Sequence, residues 1–402
     1  LVNFITKSPN PNKVLEITTR NTAGSFGLYT NFTSLSGTKN KLSYYSYINY
    51  KRGDGFRPNS EFESKNAFFY LGYDHNKNNK FSIEVTYLDY LAQQAGGLSD
   101  QMYSNNPFQS NRERNWFKVD WLLYNFKWDH KISSKTNLTF NFFGLNASRK
   151  SIGYRIRRVD LPDTGEAREL LIGDFNNFGL ETRILSSYKV FGKKATYLFG
   201  IKFYKAENKD YQGPGTDGIG ADFFAATEQF PNYRIQGEFK NPNLNIALFG
   251  ENIFYFSDKF SITPGARFEY INTKSQGLSR RTNFDAAGNP IGGEENLIDD
   301  AKERSFILLG LGTSFKPSTY LEIYGNISQN YRSITFSDVN IVNPSNAVDP
   351  GINDENGFTL DIGARGNLNS WVSYDIGFFS LFYKDRIGFL FTSIPPINNL
   401  GQ

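Results

Sequence analysis

The chain has 402 residues, no cysteine and a formal charge of +4, which excludes a disulfide scaffold or thiolate metal site and offers no clustered basic face for nucleic acid. Aromatics reach 16%, with 38 Phe and 24 Tyr, while mean hydropathy is −0.49. That is more ring than a soluble core needs. No run of about 18 apolar residues exists to make a transmembrane helix, so a membrane location requires a closed barrel with interfacial aromatic girdles.

Period-two alternation recurs along the chain. Leu138, Phe140 and Phe142 share one parity in the first half. In KFSITPGARFEYI, residues Phe260, Ile262, Ala266, Phe268 and Tyr270 alternate with Ser261, Thr263, Gly265, Arg267 and Glu269. Ile307, Leu309, Leu311 and Phe315 follow, and then Phe358, Leu360, Ile362 and Ala364 against Thr359, Asp361, Gly363 and Arg365. Side chains of a strand alternate faces, so each segment is greasy on one side and wet on the other. The expected fold is all-β, a transmembrane antiparallel up-and-down β-barrel, partial, with roughly fifteen strands.

Connections alternate in length. Short turns are expected near Ser36–Asn40, Asp74–Lys80, His130–Lys135, Val190–Lys194, Ser257–Lys259, Lys316–Thr319 and Asn367–Ser370. Long ones are expected near Lys51–Phe62, Leu91–Arg114, Lys150–Phe175, Lys205–Asn241, Thr273–Lys302 and Asn330–Gly357. Short periplasmic turns and long external loops are the pattern of an outer-membrane barrel. Because single-chain bacterial barrels have an even number of strands, the count implies missing strands, expected at the C-terminal side. His75 and His130 fall in polar turns and are read as solvated rather than as metal or catalytic groups.

Four stretches resemble the TonB-dependent outer-membrane receptors, and the ferric dicitrate receptor group in particular. LVNFITK (Leu1–Lys7) is similar to the closing strand of that family's plug, and GGLSDQMYSNNPFQSNRERNWF (Gly96–Phe117) to an external-loop signature of the citrate group. ITPGARFEYI (Ile262–Ile271) and DIGARGNLNSWVSYDIGFFSLFYKDRIG (Asp361–Gly388) resemble common barrel strands. The resemblance implies that residues 1–12 are the end of a plug and its link, and residues 13–402 a barrel incomplete at its C-terminus. It further implies energy-coupled uptake of a ferric chelate, ferric citrate or a similar carboxylate siderophore, and no enzymatic activity. The implied partners are the TonB-ExbB-ExbD complex, reached through the plug, and outer-membrane lipid and lipopolysaccharide. No cofactor is implied beyond iron carried as chelate. Uptake of a carbohydrate, haem or cobalamin is the alternative within the family, and a passive porin or adhesin the alternative outside it.

An anionic chelate calls for arginine, whose planar fork pairs with carboxylates and stays charged. The candidate ligand-binding residues are Arg149, Arg155, Arg168, Arg234, Gln109 and Arg112. Arg149 and Arg234 are similar in position to pocket arginines of the citrate group, whereas ELLIG (Glu169–Gly173) stands where a further one is expected, with Arg168 only nearby. The competing reading makes these arginines, with Arg157 and Arg158, ordinary surface charges that bridge lipopolysaccharide phosphates. Asp299, Asp300, Asp349 and Asp354 lack the spacing of a calcium loop. The adjacent acids Glu61 and Glu63 have nothing to bury them and carry no catalytic signal.

Overall fold

The computed structural model describes residues 6–156, 158–334, 351–368 and 371–388. It is one antiparallel meander of fifteen strands, each paired with its neighbours in sequence. The strands are β1 (Glu16–Ala23), β2 (Tyr29–Lys39), β3 (Leu42–Gly53), β4 (Phe62–Asn76), β5 (Asn79–Gln93), β6 (Trp116–Lys131), β7 (Thr136–Gly153) and β8 (Glu169–Val190), followed by β9 (Lys193–Pro214), β10 (Ile235–Tyr255), β11 (Phe260–Phe284), β12 (Pro290–Ser318), β13 (Leu321–Arg332), β14 (Glu355–Leu368) and β15 (Val372–Lys384). A single short helix, α1 (Asp100–Asn105), interrupts the β5–β6 loop and is capped by the Ser99 side chain. Among the described residues no helix is long and apolar enough to cross a membrane.

Register carries the predicted alternation across the sheet. Phe268 pairs with Leu248 on one side and Ile307 on the other, and Leu248 pairs in turn with Ile201. All four are exposed, as is Leu309, at 56%. Such a stripe is stable only against lipid. The opposite parity is polar and points to the lumen, where Glu269 contacts Arg267 and accepts a hydrogen bond from Asn245 Nδ2 at 2.6 Å. Rings gather at the short-turn end, with Phe81 stacked on Trp128 at 6.1 Å and Phe256 beside Phe260 at 5.9 Å.

Loop-length parity is as expected, but much of the predicted loop is strand. The β11–β12 hairpin stays in register from Phe260–Phe315 up to Thr282–Gly293, with Arg280 opposite Glu295 and Arg281 opposite Glu294. Its turn closes where Asp285 Oδ1 accepts the amides of Ala287 and Asn289, and Gly288 adopts φ 86°. The residues 205–214 and 235–241 likewise belong to β9 and β10. These extensions rise past the outward apolar stripe, so no apolar alternation marks them. The sequence reading also passed over the first external turn, at residues 24–28. His75 and His130 are the next-to-last residues of β4 and β6 rather than lying between strands, and His130 Nδ1 lies 2.8 Å from Asn79 Oδ1. The expectations for Leu1–Ile5, Arg157, Asp349 and most of the Asn330–Gly357 connection lie outside the described residues.

Candidate functional site

At the long-loop end of β6 to β10 the luminal face holds a cavity of about 550 Å³. Two cross-strand rows build it. One runs Phe117, Ser151, Leu171, Gln212, Gly237, and the next runs Arg149, Gly173, Asp210, Phe239. Gly173 separates Arg149 from Asp210, and a Cβ there would meet the Phe175 ring at 3.1 Å and the Asp210 carboxylate at 3.5 Å. The glycine therefore leaves open the space in which the cation and the acid face each other.

Arg149 is exposed to this cavity and has no hydrogen-bond or ion-pair partner among the described residues. Asp210 is held by Asn241 Nδ2 at 2.8 Å, while Asn241 Oδ1 is buried without a hydrogen-bond partner among the described residues. Arg155 donates to Ser151 Oγ at 2.9 Å and stands 3.7 Å from Glu169. Arg234 lies with its guanidinium 5.6 Å from the Phe284 ring. Burial pushes the Tyr233 hydroxyl up, the charge of Glu169 adds to this, and those of Arg155 and Arg234 oppose it. The arrangement can hold an anionic group at Arg149 and Arg155 and present apolar rings, Phe117 and Phe239, to the rest of a ligand.

The other candidates have structural partners. Gln109 Nε2 donates to the Met102 carbonyl at 2.6 Å and closes the α1 turn on its own loop. Arg112, buried, donates to the carbonyls of Asn111 and Leu161 at 3.0 Å and lies over the Tyr154 ring at 5.1 Å. Arg168 is fully buried and saturated by carbonyls, a hydroxyl and Asp222. Thus Arg149 and Arg155 line the cavity together, Arg234 lies outside its lining beside Phe284, and Gln109, Arg112 and Arg168 belong to the loop framework.

Sequence reasoning missed Asp210, Asn241 and Phe239, because they fall in a stretch read as loop. The common parity of Asn208, Asp210 and Gln212 was the signal that could have found them. It also missed Arg114, which contacts Asp163 through two nitrogens and donates to the carbonyls of Glu166 at 3.0 Å and Asp217 at 2.9 Å. Among the described residues no group of three or more His, Asp or Glu is placed to hold a metal ion.

A family model described as TonB dependent receptor-like, beta-barrel, matches residues 8–402. The chain belongs to this family. Its place is therefore the outer membrane, with the Leu309 face toward lipid. Solved structures show the same fold at low identity. An unliganded ferric citrate transporter, FecA, superposes with a TM-score of 0.68 at 16% identity, covering 90% of this chain and 50% of its own. The ferric yersiniabactin uptake receptor FyuA of Yersinia pestis gives 0.69 at 13%, over 94% and 56%. The ferric-catecholate import receptor Fiu of E. coli K12 in its closed form gives 0.70 at 11%, over 94% and 59%. The chain thus spans between half and three-fifths of the length of these structures. Comparison with curated protein sequences gives no match.

Proposed function

We propose that this TonB-dependent receptor barrel takes up a ferric chelate bearing carboxylate groups, ferric citrate or a similar siderophore, and that the β6–β10 cavity is where the chelate rests. The observation that carries the reading is Arg149, which among the described residues has no hydrogen-bond or salt-bridge partner and lines, with Arg155 and Asp210, a luminal cavity of about 550 Å³. The descriptions of the matched structures, which name ferric citrate, ferric yersiniabactin and ferric catecholate, support an iron chelate as cargo. Asp210 in the same cavity disfavours a ligand carrying negative charge on every side.

Residues 1–12 are read as the end of a plug and its link. Thr6 Oγ1 reaches Glu84 at 3.4 Å and the Lys7 ammonium lies 5.6 Å from the luminal Tyr45 ring, so these two residues sit against the inside wall ahead of β1. Energy would come from the TonB-ExbB-ExbD complex acting on that plug. The barrel supplies binding, and no bond in the cargo has to break.

Titration of the full-length, plug-containing receptor with ferric citrate tests the reading. Loss of one charge-assisted contact is worth about 1.5–3 kcal/mol, so Arg149→Ala should weaken binding roughly ten- to a hundred-fold. The loss should be greater at low salt than at high salt. Binding of a neutral oligosaccharide with no binding of ferric citrate would reject the chelate and leave the family intact.

A further inference from the structure

Arg168 is the largest fully buried side chain among the described residues, although it carries a charge. Its guanidinium has five donors and all five are used. Nε donates to the Thr216 carbonyl at 3.0 Å, and Nη1 to the carbonyls of Arg114 at 3.1 Å and Gly220 at 2.7 Å. Nη2 donates to Thr216 Oγ1 at 2.7 Å and to the Asp222 carboxylate. These acceptors lie on the β5–β6 and β9–β10 loops, while Arg168 ends the β7–β8 loop. One side chain therefore joins three external loops.

Other contacts tie the same three loops. Arg114 of the first loop contacts Asp163 of the second and the Asp217 carbonyl of the third, and Trp116 Nε1 donates to the Ile219 carbonyl at 2.8 Å. Asn111 Nδ2 donates to the Val159 carbonyl at 2.6 Å. The path from this node to the cavity is covalent and short. Glu169 follows Arg168, accepts Gln212 Nε2 at 2.6 Å and lies beside Arg155, and both Gln212 and Arg155 line the cavity.

We infer that Arg168 is a positioning residue: it locks the three loops into one body and thereby sets Arg155 and Gln212 for the ligand without touching it. The part of this inference that concerns ligand rests on the function proposed above. The part that concerns the loops does not. A lysine at 168 keeps the charge, but its three donors on a single nitrogen cannot span acceptors on two loops in three directions. A purely electrostatic role is rescued by lysine and a positioning role is not.

Hydrogen exchange on the full-length receptor, wild type against Arg168→Lys, decides the loop unit. The amides of Gln94, Tyr154, Leu161 and Gly215 bond within or between these loops. They should lose protection together, by about ten-fold or more, while the mid-strand amides of β6 to β9 keep theirs. Loss confined to Gly215, or no loss, overturns the single unit. Titration with ferric citrate decides the positioning. Arg168→Lys should weaken binding about ten-fold, and adding Arg155→Ala should cost little more, because contacts in one network are not additive. Additive losses, or unchanged binding, overturn it. If wild-type receptor does not bind ferric citrate, the ligand reading fails, and the exchange result still settles the loops.

Discussion

The wall and the roof of this molecule keep their charges in opposite ways. In the wall, every charged residue named above lies on the luminal parity or beyond the apolar band, and the outward stripe of Ile201, Leu248, Phe268 and Ile307 is unbroken. In the roof, Arg112, Arg114 and Arg168 are buried, Arg112 bonded to carbonyl oxygens and the other two to carbonyls and a carboxylate each. The wall excludes charge from a medium that cannot solvate it. The roof replaces water around a charge with backbone acceptors, and these bonds tie the loops to one another.

The largest effect should come from emptying a roof node. Removing one partner of a buried pair typically costs about 3–5 kcal/mol, because the other charge is left uncompensated. Arg114→Ala strands Asp163 and two carbonyls, so exchange of the Asp163–Arg168 amides should approach that of an open loop while the barrel remains folded. Retained protection would mean that the roof does not depend on its arginines.

A charge on the outward wall comes next. Leu309→Arg should cost about 2–4 kcal/mol in the apolar band, read from denaturant titration of receptor refolded in liposomes. The luminal substitution Glu269→Gln should cost about 1–2 kcal/mol, since its single oxygen keeps an acceptor for Asn245 or for Arg267 but not for both, and the charge assistance is lost. Equal losses for the two would show that the faces are reversed.

Acid should give the smallest effect. Burial pushes the Asp163 carboxyl up, but hydrogen bonds from Arg114 and the Gly165 amide outweigh it and hold the group below its ordinary value of 3.8. A depressed folded value contributes stability above the unfolded value, and that stability is lost as pH falls through the folded one. Roof protection should therefore be the same at pH 7 and pH 5 and decline only below about pH 4. A decline between pH 7 and pH 5 would assign the sensitivity to another group.

The strands that touch lipid were legible because one face must be apolar without interruption, as at Phe260–Tyr270 and Ile307–Phe315. The same logic failed where β9 to β12 rise past the outward apolar stripe, because a hairpin beyond it, such as Thr273–Phe284 with Pro290–Lys302, places no demand on hydropathy. Among candidate site residues, Arg149 was legible as the last cation on the luminal parity of an alternating strand. Arg168 and Arg112 were recognisable as cations in external loops, but nothing along the chain distinguishes an arginine that faces a ligand from one that faces three carbonyls.

By itself, then, the sequence determined a membrane barrel: the period of two, the alternation of turn and loop, and the girdle of rings are local consequences of a strand placed between lipid and water. It also determined the family, through residues spread over the whole chain. Only the tertiary structure decided which arginine is available. The acceptors of Arg168 lie 48 to 54 residues away in sequence, and the acid opposite Arg149 comes from β9, two strands along the sheet. Contacts of that range are set by register and loop closure, and neither is written in any short stretch of the chain.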